Sequence, residues 1–361
     1  MNKALLDLYA DYLLSSLGRV TATGLSELVG GSVSHDQISR LLASEKQTSV
    51  GWWQLIKPLV RKVEQVSGVL IFDDSVEEKP YTDENEIVCW HYDHSQQRMV
   101  KGINFLTALY HVHETSLPVA FELVAKTEQY SDPKTGKVRR KSAYTKNEYF
   151  RQMVAVCVQN QISFTYVLAD SWYSSADNMK QVKQALHKEF VMVLKSNRKV
   201  ALSHSDKLAG RFQPVNTLVL PEAMTQAVYL EQLDFPVQLT RQLFTNGDGS
   251  IGILYLVSSD MTLDYLRLTT LYQKRWKVEE YHRSLKQNAA LALSPTRTVT
   301  TQTNHFFAAL YAFVKLEMLK TATNLNHYAL KTKLYMAALH SAFDTLRSLQ
   351  PISLAHTGFA A

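Results

Sequence analysis

Two short apolar runs in this chain each end in acidic residues. Residues 68–72 (GVLIF) and 164–169 (FTYVLA) are rich in β-forming side chains and do not alternate with polar ones. Continuous apolarity over so few residues predicts strands buried on both faces. Asp73 and Asp74 follow the first run, and Asp170 follows the second. Carboxylates at the carboxyl ends of buried strands lie where α/β sheets usually place their active sites, although an Asp there can also cap a turn or a helix.

The N-terminal region has helical periodicity, and one stretch of it resembles a helix-turn-helix. In ATGLSELVGGSVSHDQISRLLAS, Leu25 and Leu28 line a short helix that the glycines at 30–31 interrupt. Ser34 is followed three residues later by Gln37, which predicts a capping box at the start of a second helix.

The second helix of this motif has distinct inner and outer sides. Ile38, Leu41 and Leu42 would face the core, which leaves Ser39 and Arg40 on the outside. Such a helix can enter the major groove of DNA. A plain helical hairpin is the alternative interpretation.

From residue 67 onward, strands alternate with helices. EIVCWHYDHS and INFLTALYHVH predict the second and third strands after the one that ends at Asp73 and Asp74, and LPVAFELVA predicts a further extended segment. NEYFRQMVAVCVQNQ predicts a helix, and the strand that ends at Asp170 follows it. SADNMKQVKQALHKE then predicts a helix, and FVMVLKSN a strand.

The rest of the chain, from residue 200 onward, divides into a β-rich and a helical part. Residues 200–260 alternate and contain NGDG, which is a turn signal. MTLDYLRLTTLYQKRWKVEEYHRSLKQN predicts one long helix, and further helices follow it. The pattern therefore predicts an α/β protein with a helical domain at 1–66, a mixed-sheet domain at 67–199 and 261–300, a β-rich insertion at 200–260 and a helical region at 301–361.

Composition describes a globular, mildly basic protein. Of its 361 residues, 46% are hydrophobic and 20% are charged, and the net charge of +6 gives a small bias towards polyanionic partners. Two cysteines exclude a disulfide framework and a thiolate zinc cluster. Because no run of about 18 apolar residues occurs, we expect no membrane span. We expect a cytoplasmic, nucleoid-associated bacterial protein.

The predicted long helix carries a stripe of reactive side chains. Tyr272, Arg275, Glu279 and Lys286 follow the spacing Y-x2-R-x3-E-x6-K. At about 100° per residue, all four fall within an arc of about 60°. A carboxylate between two cations suits a metal-bound phosphodiester. The alternative is a solvated helix face with weak ion pairs.

Asp74, Asp170 and Glu279, with the four-residue signature around the Glu, resemble the acidic triad and YREK motif of bacterial insertion-sequence transposases. The phrase LADSWYSS is also similar to the second-Asp motif of these DDE enzymes, and the resemblance covers about residues 67–320. It implies a ribonuclease H-like mixed-sheet catalytic core. The first motif departs from the usual form because it reads Asp73-Asp74-Ser75. Asp74 is aligned with the catalytic residue, and Asp73 is the alternative.

The resemblance implies cut-and-paste transposition by two-metal-ion catalysis. Two Mg²⁺ or Mn²⁺ ions would be held by Asp74, Asp170 and Glu279, while Tyr272, Arg275 and Lys286 would hold DNA phosphates. The partner would be double-stranded DNA, at terminal inverted repeats and at a target, and a homodimer would pair two ends.

Basic residues outside the signature are further candidates for contacts with the DNA backbone. They are Lys137, Arg139, Arg140 and Lys141 in the segment KTGKVRRKSAYTK, and Lys195 and Arg198 after the strand FVMVLKSN. Two other functions remain open: a ribonuclease H-like nuclease without strand transfer, and a non-catalytic DNA-binding protein derived from a transposase.

Overall fold

A mixed sheet flanked by helices forms the centre of the molecule. The computed structural model describes residues 2–93, 97–131, 133, 136, 138–221 and 223–349. Its helices are α1 (Lys3–Ser15), α2 (Ala22–Leu28), α3 (His35–Ala43), α4 (Ser49–Val63), α5 (Lys146–Gln159), α6 (Ala176–Lys180, continued by a π-helical turn at Gln181–Ala185), α7 (His204–Leu208), α8 (Tyr265–Gln273), α9 (Trp276–Gln287), α10 (Val299–Thr323) and α11 (His327–Leu349).

Thirteen strands lie within the described ranges, and eleven of them form one sheet. They are β1 (Val69–Glu78), β2 (Val88–Asp93), β3 (Arg98–Val112), β4 (Thr115–Leu123), β5 (Glu128–Ser131), β6 (Val138–Lys141), β7 (Tyr166–Ala169), β8 (Glu189–Leu194), β9 (Lys199–Ala201), β10 (Gln213–Pro214), β11 (Thr225–Leu230), β12 (Val237–Thr245) and β13 (Ile251–Ser258). The other two strands, β5 and β6, form a separate hairpin.

Strand β1 lies inside the large sheet, between β3 and β7. It pairs antiparallel with β3 and parallel with β7, and β7 pairs parallel with β8. Its first four residues, 69–72, are fully buried, as their unbroken apolarity predicts. Three antiparallel strands (β1, β3 and β4) followed by helix, strand, helix and strand (α5, β7, α6 and β8) are the order of a ribonuclease H-like core. The predicted fold class is confirmed.

The assignment of the second and third strands differs from the sequence-based one. Strand β3 is 15 residues long, so one edge of it serves two partners: β2 pairs with its first part and β4 with its second. The segment LPVAFELVA is therefore a full strand of the core sheet. The segment predicted as the second strand instead forms an additional arm beside the first part of β3.

The β-rich insertion continues the same sheet as β1, β7 and β8. Strand β13 pairs antiparallel with β8, and β12, β11, β9 and β10 follow outward in that order. The predicted NGDG turn connects β12 to β13, and Gly249 within it has φ +83°, a conformation that favours glycine.

The helix-turn-helix prediction is met in its second helix and partly in its first. Ser34 and Gln37 form the predicted capping box at the start of α3, and Gly30 and Gly31 have φ of +62° and +74°. Leu28 was expected to line the first helix, but its side chain is 64% exposed. It lies at the last position of α2, where the chain turns away from the core.

Helix α10 connects the N-terminal helices to the rest of the molecule. Asn304 within it accepts a hydrogen bond from the Gln47 backbone N–H (2.9 Å) and donates one to the Leu42 carbonyl (2.9 Å). Helix α4 forms a second connection, in which the indole of Trp52 donates a hydrogen bond to the Pro118 carbonyl in β4 (2.7 Å). None of the helices within the described ranges is long and apolar enough to cross a membrane.

The helix predicted from residue 261 onward as one long element is two helices. Lys274 and Arg275 form a turn between α8 and α9. The backbone N–H groups of Lys274, Arg275, Lys277 and Val278 each bond to the carbonyl three residues earlier. These tighter bonds interrupt the i→i−4 ladder between α8 and α9.

Candidate active site

Asp73 and Asp74 lie on opposite faces of the sheet because successive side chains of a strand alternate. Phe72 shares a face with Asp74 and packs edge-on against Phe150 of α5, with ring centroids 4.7 Å apart. Thr107, which pairs with Asp73 across the sheet, contacts the hydroxyl of Tyr281 in α9 (3.3 Å). Asp74 therefore faces α5, and Asp73 faces α9.

Asp74 is held by three donors. Its carboxylate accepts hydrogen bonds from Lys146 Nζ (2.7 Å), the Tyr173 hydroxyl (2.6 Å) and Asn104 Nδ2 (2.9 Å). Burial alone would raise the pKa of Asp74, but the Lys146 charge and these hydrogen bonds outweigh it and lower the pKa. Asp74 is thus a stable anion with its lone pairs already engaged.

Asp73 lies in a more anionic environment. Burial raises the pKa of Asp73 well above its ordinary value, and the neighbouring charges of Asp74 and Asp170 raise it further. Arg275 opposes this effect only partly, because its guanidinium is 3.6 Å from the Asp73 carboxylate. A cation bound beside Asp73 would therefore stabilise the anionic form of its carboxylate.

The turn between α8 and α9 brings Arg275 beside Glu279. The guanidinium is 3.3 Å from the Glu279 carboxylate and stacks over the Tyr272 ring at 5.7 Å. Tyr272 itself is buried, and burial raises its pKa to about 12. About two turns further along α9, Lys286 Nζ donates to the Val76 carbonyl (2.7 Å), which fixes the end of α9 to β1.

His282 is a site residue that the sequence analysis missed. One ligand atom from each of Asp73, Glu279 and His282 lies within 4.8 Å of the other two, the one such group of three or more that the described residues contain. His282 is 6% exposed, and burial lowers its pKa to about 3, so the ring is neutral. The i,i+3 spacing from Glu279 was the available signal, but buried histidines on helices are usually structural.

Asp170 follows β7, as predicted, and accepts a hydrogen bond from the Trp172 backbone N–H (2.9 Å). Burial raises its pKa. Asp170 lines the same cleft as the other carboxylates, a space of about 970 Å³, but does not belong to the group within 4.8 Å. The cleft lining includes Asp73, Asp74, Lys146, Asp170, Trp172, Lys195, Arg275, Trp276, Glu279, His282 and Lys286.

The two tryptophans at the cleft are exposed. Trp172 is 45% and Trp276 56% exposed. The ammonium groups of Lys146 and Lys195 each lie 5.7 Å from the centroid of Trp172. An exposed indole beside two cations can stack on a nucleobase while the cations contact phosphates.

The other predicted DNA-binding residues lie away from the lining of this cleft. Tyr272 is behind Arg275, and Arg198 follows β8 with its side chain partly buried. Arg139, Arg140 and Lys141 lie on β6, so the predicted basic loop is partly a hairpin, in which Lys141 pairs with Glu128 (3.1 Å). Ser39 and Arg40 are exposed on α3. Lys137 lies outside the described residues.

The donor set of the cleft suits a divalent cation. Carboxylates supply hard oxygen ligands, and a neutral imidazole can add a nitrogen. The Nε2 atom of His282 is buried and has no hydrogen-bond partner within the described part of the chain. The residues present therefore fit the metal-dependent chemistry that the acidic triad implies.

Comparison with known proteins gives two family matches. Residues 2–212 match the model of the DDE superfamily endonuclease, and residues 131–314 match the transposase DDE domain. A search of curated protein sequences gives no match. Among solved structures, the Drosophila P element transposase strand transfer complex is similar over 96% of this chain and 86% of that chain, at 10% identity and a TM-score of 0.27.

Proposed function

Because the chain belongs to the DDE family of endonucleases and transposases, we propose that it is an insertion-sequence transposase of the YREK group. It would bind the terminal inverted repeats, cleave DNA phosphodiesters there and join the 3′ ends to target DNA. One observation carries the proposal: three separate parts of the chain contribute carboxylates to one cleft that basic side chains also line. They are β1, the residue directly after β7, and α9.

For the first catalytic carboxylate, the geometry favours Asp73 over Asp74, the residue that the motif alignment selects. Asp73 faces Glu279, whereas Asp74 is occupied by Lys146, Tyr173 and Asn104. Asp74 then acts as a positioning residue in the middle of β1 that holds Lys146 near Trp172.

Two bound divalent ions would supply an activated attacking oxygen and stabilise the leaving 3′ oxygen. Asp73, Asp170 and Glu279 would hold them through oxygen atoms. Arg275 and Lys286 would hold phosphates on either side of the scissile bond, Arg275 in a bidentate manner. Tyr272 would support Arg275 from behind, and Trp172 would stack on a base near the cut.

Basic residues beyond the cleft would hold the flanking DNA. Lys195 extends the cleft, the β5–β6 hairpin offers Arg139, Arg140 and Lys141, and Arg198 lies beyond β8. On α3, Ser39 and Arg40 would contact the terminal repeat. A homodimer in the bacterial cytoplasm, associated with the nucleoid, is the assembly that would pair two ends.

The test is cleavage of a labelled duplex that carries the DNA flanking the gene. Asp170→Asn is expected to keep binding to the end while cleavage is lost. Asp177→Asn, an exposed Asp on the neighbouring α6, is the matched control and should cleave normally. Loss of end binding in a folded Asp170→Asn protein would contradict its catalytic assignment. Cleavage without joining to target DNA would favour a nuclease over a transposase.

A further inference from the structure

We propose that His282 is a metal ligand, and that together with Asp73 and Glu279 it forms a nitrogen-containing cation site that favours Mn²⁺ over Mg²⁺. The inference deepens the proposed function, on which it rests for the presence of a catalytic cation. His282 is then a ligand beyond the acidic triad, and its ring nitrogen biases the site towards Mn²⁺.

The placement of His282 follows from α9. His282 lies three residues after Glu279, so the two side chains share one helix face. That face packs against β1, where Asp73 lies. Two ligands that are each about 2.1 Å from one ion are at most about 4.2 Å apart. The group, which lies within 4.8 Å, therefore needs to contract by well under 1 Å around an ion.

The surroundings of His282 hold the ring but leave it unsatisfied. The ring packs edge-on against Phe105, with centroids 5.4 Å apart, and contacts Tyr281 at 5.1 Å. Its buried Nε2 has no hydrogen-bond partner among the described residues. Buried polar atoms in folded proteins nearly always have a partner. Within the described ranges, the His282 ring leaves its Nε2 without one and has a ring nitrogen within 4.8 Å of the Asp73 and Glu279 carboxylates.

Ligand chemistry determines the choice of cation. Mg²⁺ prefers oxygen ligands in a near-ideal octahedron and retains several waters. Imidazole suits first-row transition metals, and Mn²⁺ accepts both carboxylate and imidazole ligands. Arg275 contacts both carboxylates, so a bound ion shares them with Arg275 or takes its place.

His91 offers a matched control within the same protein. It is also a buried histidine whose Nε2 has no hydrogen-bond partner among the described residues. However, it lies on β2 and does not belong to the Asp73, Glu279 and His282 group. A metal signal that depends on His282 and not on His91 therefore identifies the site, and it does not merely report a disturbed core.

The experiment is pulsed electron paramagnetic resonance of the full-length protein with Mn²⁺ and without DNA. The wild type is expected to show ¹⁴N coupling from a histidine ligand. His91→Gln should retain the coupling, and His282→Gln should lose it and weaken Mn²⁺ binding at least about tenfold, with a smaller effect on Mg²⁺. Bound Mn²⁺ without ¹⁴N coupling in the wild type, or coupling that survives in His282→Gln, would overturn the proposal.

A second variant keeps the test valid if His282→Gln does not fold. The Glu279 side chain is 39% exposed, so Glu279→Gln removes a partner ligand without disturbing the core. It should lose the ¹⁴N-coupled Mn²⁺ population, and retention of that population would overturn the proposed site. The outcome is separate from the transposase proposal: ¹⁴N coupling without DNA cleavage would contradict only the function, whereas cleavage without coupling would contradict only the ligand.

Discussion

Asp73 and Asp74 are adjacent carboxylates whose environments differ because each faces a different helix. Lys146 and two hydrogen-bond donors stabilise the anion of Asp74, whereas burial and neighbouring negative charge penalise the anion of Asp73. For Asp74, whose pKa is lowered on folding, the stabilisation is present above the unfolded pKa and is lost as the pH falls through the folded one. For Asp73 the sign is reversed, and its ionisation costs stability as the pH rises.

These opposite signs predict that, in the absence of metal, removing each charge changes the free energy of unfolding in opposite directions. Asp74→Asn should lower the free energy of unfolding by about 1–3 kcal/mol, because it breaks a charge-assisted hydrogen bond to Lys146. Asp73→Asn should leave stability unchanged or raise it. Urea unfolding at neutral pH in a chelator measures both. An Asp73→Asn protein as destabilised as Asp74→Asn would contradict the assignment of the two faces.

The sequence indicated both carboxylates but could not choose between them. The run before them, GVLIF, is apolar at every position. It therefore has no alternation that would show which face of the sheet each Asp lies on. The choice depends on Lys146 of α5 and on Glu279 of α9, which approach from distant parts of the chain. His282 escaped prediction for a similar reason, since its role depends on Asp73 across the interface.

At the scale of elements, the interruption between α8 and α9 changes how the four signature residues act. A single straight helix would place Tyr272, Arg275, Glu279 and Lys286 on one stripe, as the spacing predicted. In the structure, Arg275, Glu279 and Lys286 line the cleft, and Tyr272 is buried behind Arg275. Periodicity anticipated that Arg275, Glu279 and Lys286 share one side, but it could not indicate the turn, because no Gly or Pro marks it.

Helix α10 contains a buried histidine that predicts acid sensitivity. His305 is neutral, contacts the Tyr9 hydroxyl of α1 (3.0 Å), and has a pKa that burial lowers to about 4. Between pH 6.5 and pH 4 the unfolded chain binds this proton and the folded chain does not, so stability falls as the pH decreases. From pH 7 to pH 5 this histidine should cost about 2 kcal/mol.

His305→Gln tests that prediction by urea unfolding at pH 7 and pH 5. The difference between the two pH values should shrink by about 2 kcal/mol relative to wild type, while any constant loss from packing cancels. The exposed His340→Gln on α11 is the control for the loss of a histidine. An unchanged pH difference in His305→Gln would show that the group does not carry the acid sensitivity.

At the scale of the whole molecule, one sheet joins the ribonuclease H-like core to the insertion. The parallel strands β7 and β8 could be predicted because each has a clear apolar run and a helix lies between them. The pairing of β13 with β8 could not be predicted, because these strands are about 60 residues apart and nothing in either sequence indicates which strand it pairs with. The additional arm formed by β2 was missed because nothing in the pattern shows that β3 has two partners on one edge.

The basic surface of the molecule predicts salt-dependent DNA binding. Charge reversal at Arg139 and Arg140 in the β5–β6 hairpin should weaken binding and reduce the slope of log K against log salt by about 1–2, one contact per phosphate. Fluorescence anisotropy across a salt series measures the slope. Lys333→Glu with Arg347→Glu, both exposed on α11, gives the same change in net charge as a control. An equal slope in the two double variants would show that Arg139 and Arg140 do not contact DNA phosphates.

The central claim is that the acidic cleft cuts DNA, and one pair of variants tests it most directly. Glu279 lines the cleft, whereas its neighbour Glu280 pairs with Lys277 (3.0 Å) on the exposed side of α9. In a cleavage assay on a transposon-end duplex with Mg²⁺ or Mn²⁺, wild type and Glu280→Gln should nick at the end. Glu279→Gln should be slower by at least about a hundredfold. Equal cleavage by both variants, or end binding by the wild type without cleavage in either metal, would contradict the account.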